Sequence, residues 1–242
     1  MNDVIQAIRQ TTPARVLVGR AGAAYRTDTQ LELRADHAAA RDAVWSEVDP
    51  ARDLPGLFSV TTCASSKQEY LLRPDLGRKL GVDAEKQITA RCPRGCDLQI
   101  IVGDGLSAAA IKTQVPTLLP LLLQQAQHLG WSTGEPFFIR HCRVGVLNEI
   151  GELLDPAVVL LLIGERPGLA TAESLSAYMA YRPRLGDTDA KRNLISNIHR
   201  RGVPVVAAAP RILALAATLM AAKQSGFMVK EQRIDHTLTE LP

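Results

Sequence analysis

Apolar runs along this chain are irregular at first and become regular beyond about residue 96. The longest, Ala157 to Ile163 (AVVLLLI), is too short to cross a membrane. Its β-branched and leucine content suits a strand buried on both faces of a parallel sheet. A polar turn, GERPGL, follows from Gly164 to Leu169, and a helix-like segment begins near Ser174. Leu98 to Val102 is a second apolar strand, followed by GDGLSAAAI. Thr117 to Leu129 is helix-like and closed by Gly130, a favoured residue just past a helix end. Strand-like patches, Phe137 to Arg140 and Val144 to Leu147, flank His141 and Cys142. Arg192 to His199 leads through Gly202 into PVVAAAP, and Ile212 to Lys223 predicts a last helix ending at Gly226. Alternating strands and helices imply a parallel sheet with helices on both faces.

The N-terminal part is different. Asp3 to Gln10 reads as a short amphipathic helix stopped by Pro13. An extended arm with a turn at Gly19 and Gly22 comes next, then a longer helix from Thr27 to about Trp45. Leu57 to Thr62 and Glu69 to Leu72 are expected to pair as a hairpin across Ser65, Ser66 and Lys67. Pro74 is placed to open a short helix in RPDLGRKL. CPRGC marks a linker. The expected organisation is therefore a mainly helical N-terminal domain with a short hairpin, residues 1–92, and an α/β, Rossmann-like domain, residues 93–242. No repeat, coiled-coil heptad, low-complexity tract or transmembrane span is apparent.

Composition narrows the function classes. Of 242 residues, 46% are hydrophobic and 22% charged, enough for a substantial core. The formal charge of +3 is mild, and the basic residues are dispersed, which argues against nucleic acid as partner. Aromatic content of 4% gives little stacking surface for single strands. Cys92 and Cys96 form C-x-x-x-C without the second pair of a structural zinc site, and Cys63 and Cys142 stand alone. Reduced thiols are the expectation.

Four places carry candidate chemistry. GDGLSA (Gly103 to Ala108) follows a strand and opens a helix, where backbone N–H groups favour anions. It lacks the third glycine of a dinucleotide fingerprint, so Asp104 and Ser107 read equally as turn and cap residues. His199 has Ser196 and Asn197 beside it, but a catalytic pair needs an orienting acid. Arg73, Asp75 and Arg78 are either ion pairs or part of a binding face. His37, His128 and His236 read as surface residues. Glu165 and Arg166 in GERPGL are the sharper signal: charged groups directly after a buried strand are where open α/β sheets present ligand contacts.

The ordered set RVLVGRAG, ADHAAARDAV, LLRPDLGR, VGDGLSA, PFFIRHCRVGVLNEIGELL, LLLIGERPGL, SLSAYMAYRPR and ISNIH closely resembles the small (light) subunit of ethanolamine ammonia-lyase, from about Asp3 to Gly226. The resemblance implies a non-autonomous subunit acting with a separate large subunit, in a higher hetero-oligomer, to convert ethanolamine to acetaldehyde and ammonia with adenosylcobalamin. It implies no membrane partner and a cytoplasmic setting, with a bacterial microcompartment as the other. An N-terminal extension linked to microcompartment packaging is common in the family, and this chain is expected to begin too late to have one. It also implies cobalamin contacts at Val144, after the FFIR segment, and Glu165, in GERPGL. The family's third contact, a cysteine just before ISNIH, falls here on Leu194, which exchanges a thiol for an apolar side chain. No catalytic residue and no metal ligand is expected from this chain: without a D-x-H-x-x-G pattern, the cofactor's own dimethylbenzimidazole should stay on cobalt. Two rivals stand beside this reading, a nucleotide-binding oxidoreductase domain resting on GDGLSA, and a purely structural oligomer partner.

Overall fold

The computed structural model describes residues 2–12, 16–168 and 171–231. Pro13, Leu169 and His236 lie outside them. Helix α1 spans Asn2–Thr11, as its amphipathic pattern requires. Strands β1 (Arg20–Ala21) and β2 (Ala24–Tyr25) form a small antiparallel pair. Helix α2 runs Thr27–Trp45 and α3 Pro50–Asp53. Strand β3 (Phe58–Thr61), helix α4 (Lys67–Leu72), a 3-10 turn at Leu76–Arg78 and helix α5 (Val82–Arg91) follow.

The hairpin expected between Leu57–Thr62 and Glu69–Leu72 does not form. β3 instead pairs parallel to a distant strand, β5. The second segment is helical because Ser66 caps it: Ser66 Oγ accepts from Glu69 N at 3.2 Å while the Glu69 carboxylate accepts from Ser65 N at 2.7 Å. Reciprocal capping of this kind satisfies donors that a strand would have sent sideways.

The rest builds the sheet. Strand β4 (Leu98–Gly103) leads to helix α6 (Ala108–His128), β5 (Phe137–Arg140) to helix α7 (Val146–Leu154), and β6 (Val158–Gly164) to β7 (Leu175–Tyr181) and β8 (Asn193–Ile198). Helix α8 (Val205–Ala222) closes the described chain. The six strands lie in the order β3-β5-β4-β6-β7-β8. The first four are mutually parallel; β7 runs antiparallel to β6, and β8 antiparallel to β7. Helices cover both faces, as expected for the α/β class.

Two further elements differ from expectation. The segment after Ser174 is strand, not helix: Leu175, Ala177, Met179 and Tyr181 alternate onto one core face, a period of two. Val144 to Leu147 is not a strand but the approach to α7, whose Val146, Leu147, Ile150 and Leu154 recur at helical spacing.

Alternation along the strands separates two cores. Ile100, Val102, Leu160 and Leu162 face α6 and α8, whereas Ile101, Leu161, Ile163 and Ile139 face α5 and α7. Val60, Leu80, Ala84 and Ile88 pack into this second core together with Ile101 and Phe137, so apolar packing is continuous across residues 92 and 93. By length and composition alone α8 could cross a membrane, with mean hydropathy 1.9. Its Ala208, Ile212, Leu215 and Leu219 are instead buried against the sheet and α6.

Candidate functional site

The carboxyl ends of β5, β4 and β6 bring Cys142, Asp104 and Glu165 to one edge of the sheet. The chain leaves β4 for α6 on one face and β5 for α7 on the other. In a doubly wound sheet, the crevice between such strands receives the ligand. Here the protein fills that crevice itself. The Asp104 carboxylate is fully buried and accepts from His141 N at 2.9 Å and Cys142 N at 2.8 Å. Those bonds hold His141 in a left-handed conformation (φ 58°), which a non-glycine residue adopts at a cost of about 1 kcal/mol.

Tyr70 sits behind this turn and donates from its hydroxyl to Cys142 O at 2.9 Å. Its ring is stacked with His141 at 5.7 Å and carries the Arg143 guanidinium at 4.3 Å and the Lys67 ammonium at 5.3 Å. Lys67 Nζ and His141 Nε2 are buried without a hydrogen-bond partner among the described residues. Burial drives the Asp104 carboxyl up from the usual carboxylate range and the Lys67 ammonium down, each partly offset by the other's charge. The Cys142 thiol, equally enclosed and facing Asp104, is pushed well up and is held as a thiol.

In front of the filled crevice, on the α7 side, lies a cavity of about 140 Å³. Its wall includes Val144, Glu165, Arg143, Arg166, Ile163 and Tyr178. Two of the three residues singled out in the sequence, Val144 and Glu165, thus meet in one cavity. Glu165 is half-buried, and its side chain accepts no hydrogen bond among the described residues, while its N–H donates to Ser174 O at 2.9 Å. Arg166 beside it is exposed. Burial, then the Glu165 charge, raises the Tyr178 phenol. Leu194 does not line the cavity. It stands directly across the β7–β8 pair from Tyr178, on the face opposite α8, and is 45% exposed.

A larger cleft of about 500 Å³ opens next to the cavity, where Gly145 adjoins Val144. Arg78, Lys79, Glu149, Asp189 and Arg192 lie in its wall. Arg73 and Asp75, left open as ion pair or binding face, are a pair at 2.7 Å, both well exposed and of little consequence for stability.

The rival motifs resolve plainly. Ser107 caps α6, accepting from Ala110 N at 3.1 Å, and donates to Ala172 O, so Ala172 lies against the helix N-terminus that a pyrophosphate would need. His199 Nε2 meets Asn197 Oδ1 at 2.7 Å, not Ser196. Sequence reasoning missed Tyr178 and Tyr70. Read as helix, SAYMAYR hides Tyr178; read as strand, the period of two points it away from the Leu175 core and onto the cavity face.

The pattern of the ethanolamine ammonia-lyase light chain (EutC) family matches residues 2–230. The chain belongs to this family. Ethanolamine ammonia-lyase small subunits that it resembles include that of Clostridioides difficile strain 630, 45% identical over 224 residues, covering 92% of this chain and 76% of the relative. The Clostridium acetobutylicum protein is 42% identical over 225 residues and 93% of both chains, and that of Listeria monocytogenes serotype 4b (strain F2365) is 44% identical over 225 residues, 92% of this chain and 76% of its own. As an ethanolamine ammonia-lyase small subunit by family, the chain is a component of a lyase.

Proposed function

We propose that this chain grips one edge of adenosylcobalamin in a complex with an ethanolamine ammonia-lyase large subunit, the assembled hetero-oligomer converting ethanolamine to acetaldehyde and ammonia. The observation that carries the reading is the meeting of Val144 and Glu165 in one cavity at the carboxyl edge of the sheet. A half-buried carboxylate without a described donor suits the amide N–H groups on a corrin rim. Val144 and Ile163 supply apolar wall, and Leu194 extends it beyond Tyr178.

Size favours a shared site. A cavity of about 140 Å³ falls below the roughly 300 Å³ at which small-molecule pockets begin, so only a rim of so large a ligand enters it. The large subunit encloses the remainder and handles the substrate. When bound, the cofactor supplies the radical chemistry. This chain's residues bind, orient and exclude water. None ligates cobalt, which keeps dimethylbenzimidazole as its lower ligand. A cytoplasmic setting accompanies the reading.

The test is titration of the co-purified two-subunit complex with adenosylcobalamin, followed by ultraviolet–visible absorbance. Glu165→Ala should weaken binding about tenfold or more, the effect of losing a hydrogen bond to a charged group. Unchanged affinity would favour a purely structural partner. The chain alone should show no turnover, and full activity without the large subunit would overturn the proposal.

A further inference from the structure

The GDGLS loop, Gly103 to Ser107, touches both walls of the cavity through main-chain and side-chain bonds. Toward β5, the Asp104 carboxylate accepts from His141 N and Cys142 N, two residues before Val144. Toward β6, Leu106 N donates to Gly164 O at 3.0 Å, the residue before Glu165. Gly105 (φ 56°) and Gly164 pack backbone against backbone: a Cβ on Gly105 would lie 2.2 Å from Gly164 O, and one on Gly164 would lie 2.2 Å from Ser107 O. The far end of the segment that carries Glu165 is tied to the same helix. Ser107 Oγ donates to Ala172 O, and Gln114 Nε2 to Glu173 O at 3.2 Å.

We infer that this loop is a positioning element, with Asp104 as its key residue, setting the separation of Val144 from Glu165 and so the grip on the corrinoid. This rests on the cofactor reading above and goes beyond it, since Asp104 is buried out of reach of any ligand. The chemistry is selective for a carboxylate. Two consecutive N–H groups need two acceptor oxygens, and an amide offers one oxygen and a conflicting NH2. Lys67 is the counter-charge within the same enclosure, poised over Tyr70 rather than bonded, and so contributes charge balance while Asp104 contributes geometry.

Charge and geometry are separable by experiment in the assembled complex. Asp104→Asn should weaken adenosylcobalamin binding about tenfold, the effect expected when about one molecule in ten keeps the two walls at their binding separation. Adding Lys67→Met should recover much of the thermal stability, by removing the unbalanced ammonium, without restoring affinity. Leu122→Ala, deep in the opposite core, is the control for mere destabilisation and should bind within about twofold of the parent. Wild-type affinity in Asp104→Asn, or equal weakening in Leu122→Ala, overturns the inference. If Glu165→Ala binds normally, the cofactor reading has failed instead. Amide hydrogen exchange then decides: Asp104→Asn should speed exchange at Glu165 N as well as Cys142 N, and unaltered exchange at Glu165 N refutes the coupling.

Discussion

Leu194 and Tyr178 stand opposite each other across the antiparallel β7–β8 pair, with Tyr178 in the cavity wall and Leu194 just beyond it. Directly opposed residues share a face and lie within about 5.5 Å, so Leu194 extends the apolar surface that Val144 begins. This pairing gives a physical setting to the third position that the resemblance singled out in the sequence.

Under the cofactor reading proposed above, Leu194→Cys should change corrinoid affinity of the two-subunit complex only about threefold, because an apolar contact of smaller area would remain. Leu194→Asp should weaken it by about tenfold or more, since a carboxylate would have to be desolvated against the ligand. Absorbance titration of both variants checks the contrast, and stability should change little in either, given the exposure of the side chain.

Gly164→Ala should be severe. The new Cβ would meet Ser107 O at 2.2 Å and Asp104 O at 2.7 Å, and main chain cannot yield as a flexible side chain does. A loss of about 1–3 kcal/mol, the range for overpacked sites, is expected in urea unfolding. Gly186→Ala is a contrast, because its strain (φ 89°) comes without any steric neighbour.

Histidine 199 makes stability depend on pH. Arg201 N donates to His199 Nδ1 at 3.2 Å, so Nδ1 is an acceptor and the proton sits on Nε2, toward Asn197. Burial, followed by the Arg201 charge, lowers its pKa below the ordinary 6.5, with Glu173 opposing. The unfolded chain then binds more protons than the folded one as acid is added. The stabilisation is whole above about pH 6.5 and is lost as pH falls below it toward the depressed folded value. Melting temperatures between pH 7.5 and 5 should decline more steeply for the parent than for His199→Gln.

Thiol titration gives a direct check on burial. Cys63 is exposed, whereas Cys92, Cys96 and Cys142 are buried and all four are free. Burial, with the Glu135 charge, takes the Cys92 thiol up to about 11, and Cys96 is also raised by burial. Since the thiolate is the reactive form, a disulfide reagent at pH 8 should label Cys63 alone in the folded chain and all four thiols in guanidinium.

Much of the architecture was legible because burial on both faces leaves an unmistakable trace. AVVLLLI has no polar position to dilute it, and it is β6. Helix α2 was legible from its composition and its flanks. The two failures have different causes. In SLSAYMAY the residues between the inward ones are small or amphipathic, because that side is also buried, with Tyr178 at the cavity, and strand alternation is blurred into a helical look. Glu69 to Leu72 reads as strand in the sequence but is helical, because the capping interaction at Ser66 outweighs weak propensity. At the site, Val144 was reached through resemblance alone, whereas Glu165 also stood out as a charged group directly after a buried strand. Their meeting in space depends on Asp104, whose bonds span 37 and 38 positions of sequence. No local pattern announces a contact of that reach.

The abutment of Gly105 and Gly164 also bears on how such a protein can vary over generations. A joint made of two bare backbones offers no side chain to trim when its neighbour enlarges, so a substitution on one side finds no repair on the other. Diversification at this rim is channelled outward, into the residues hung beyond the joint.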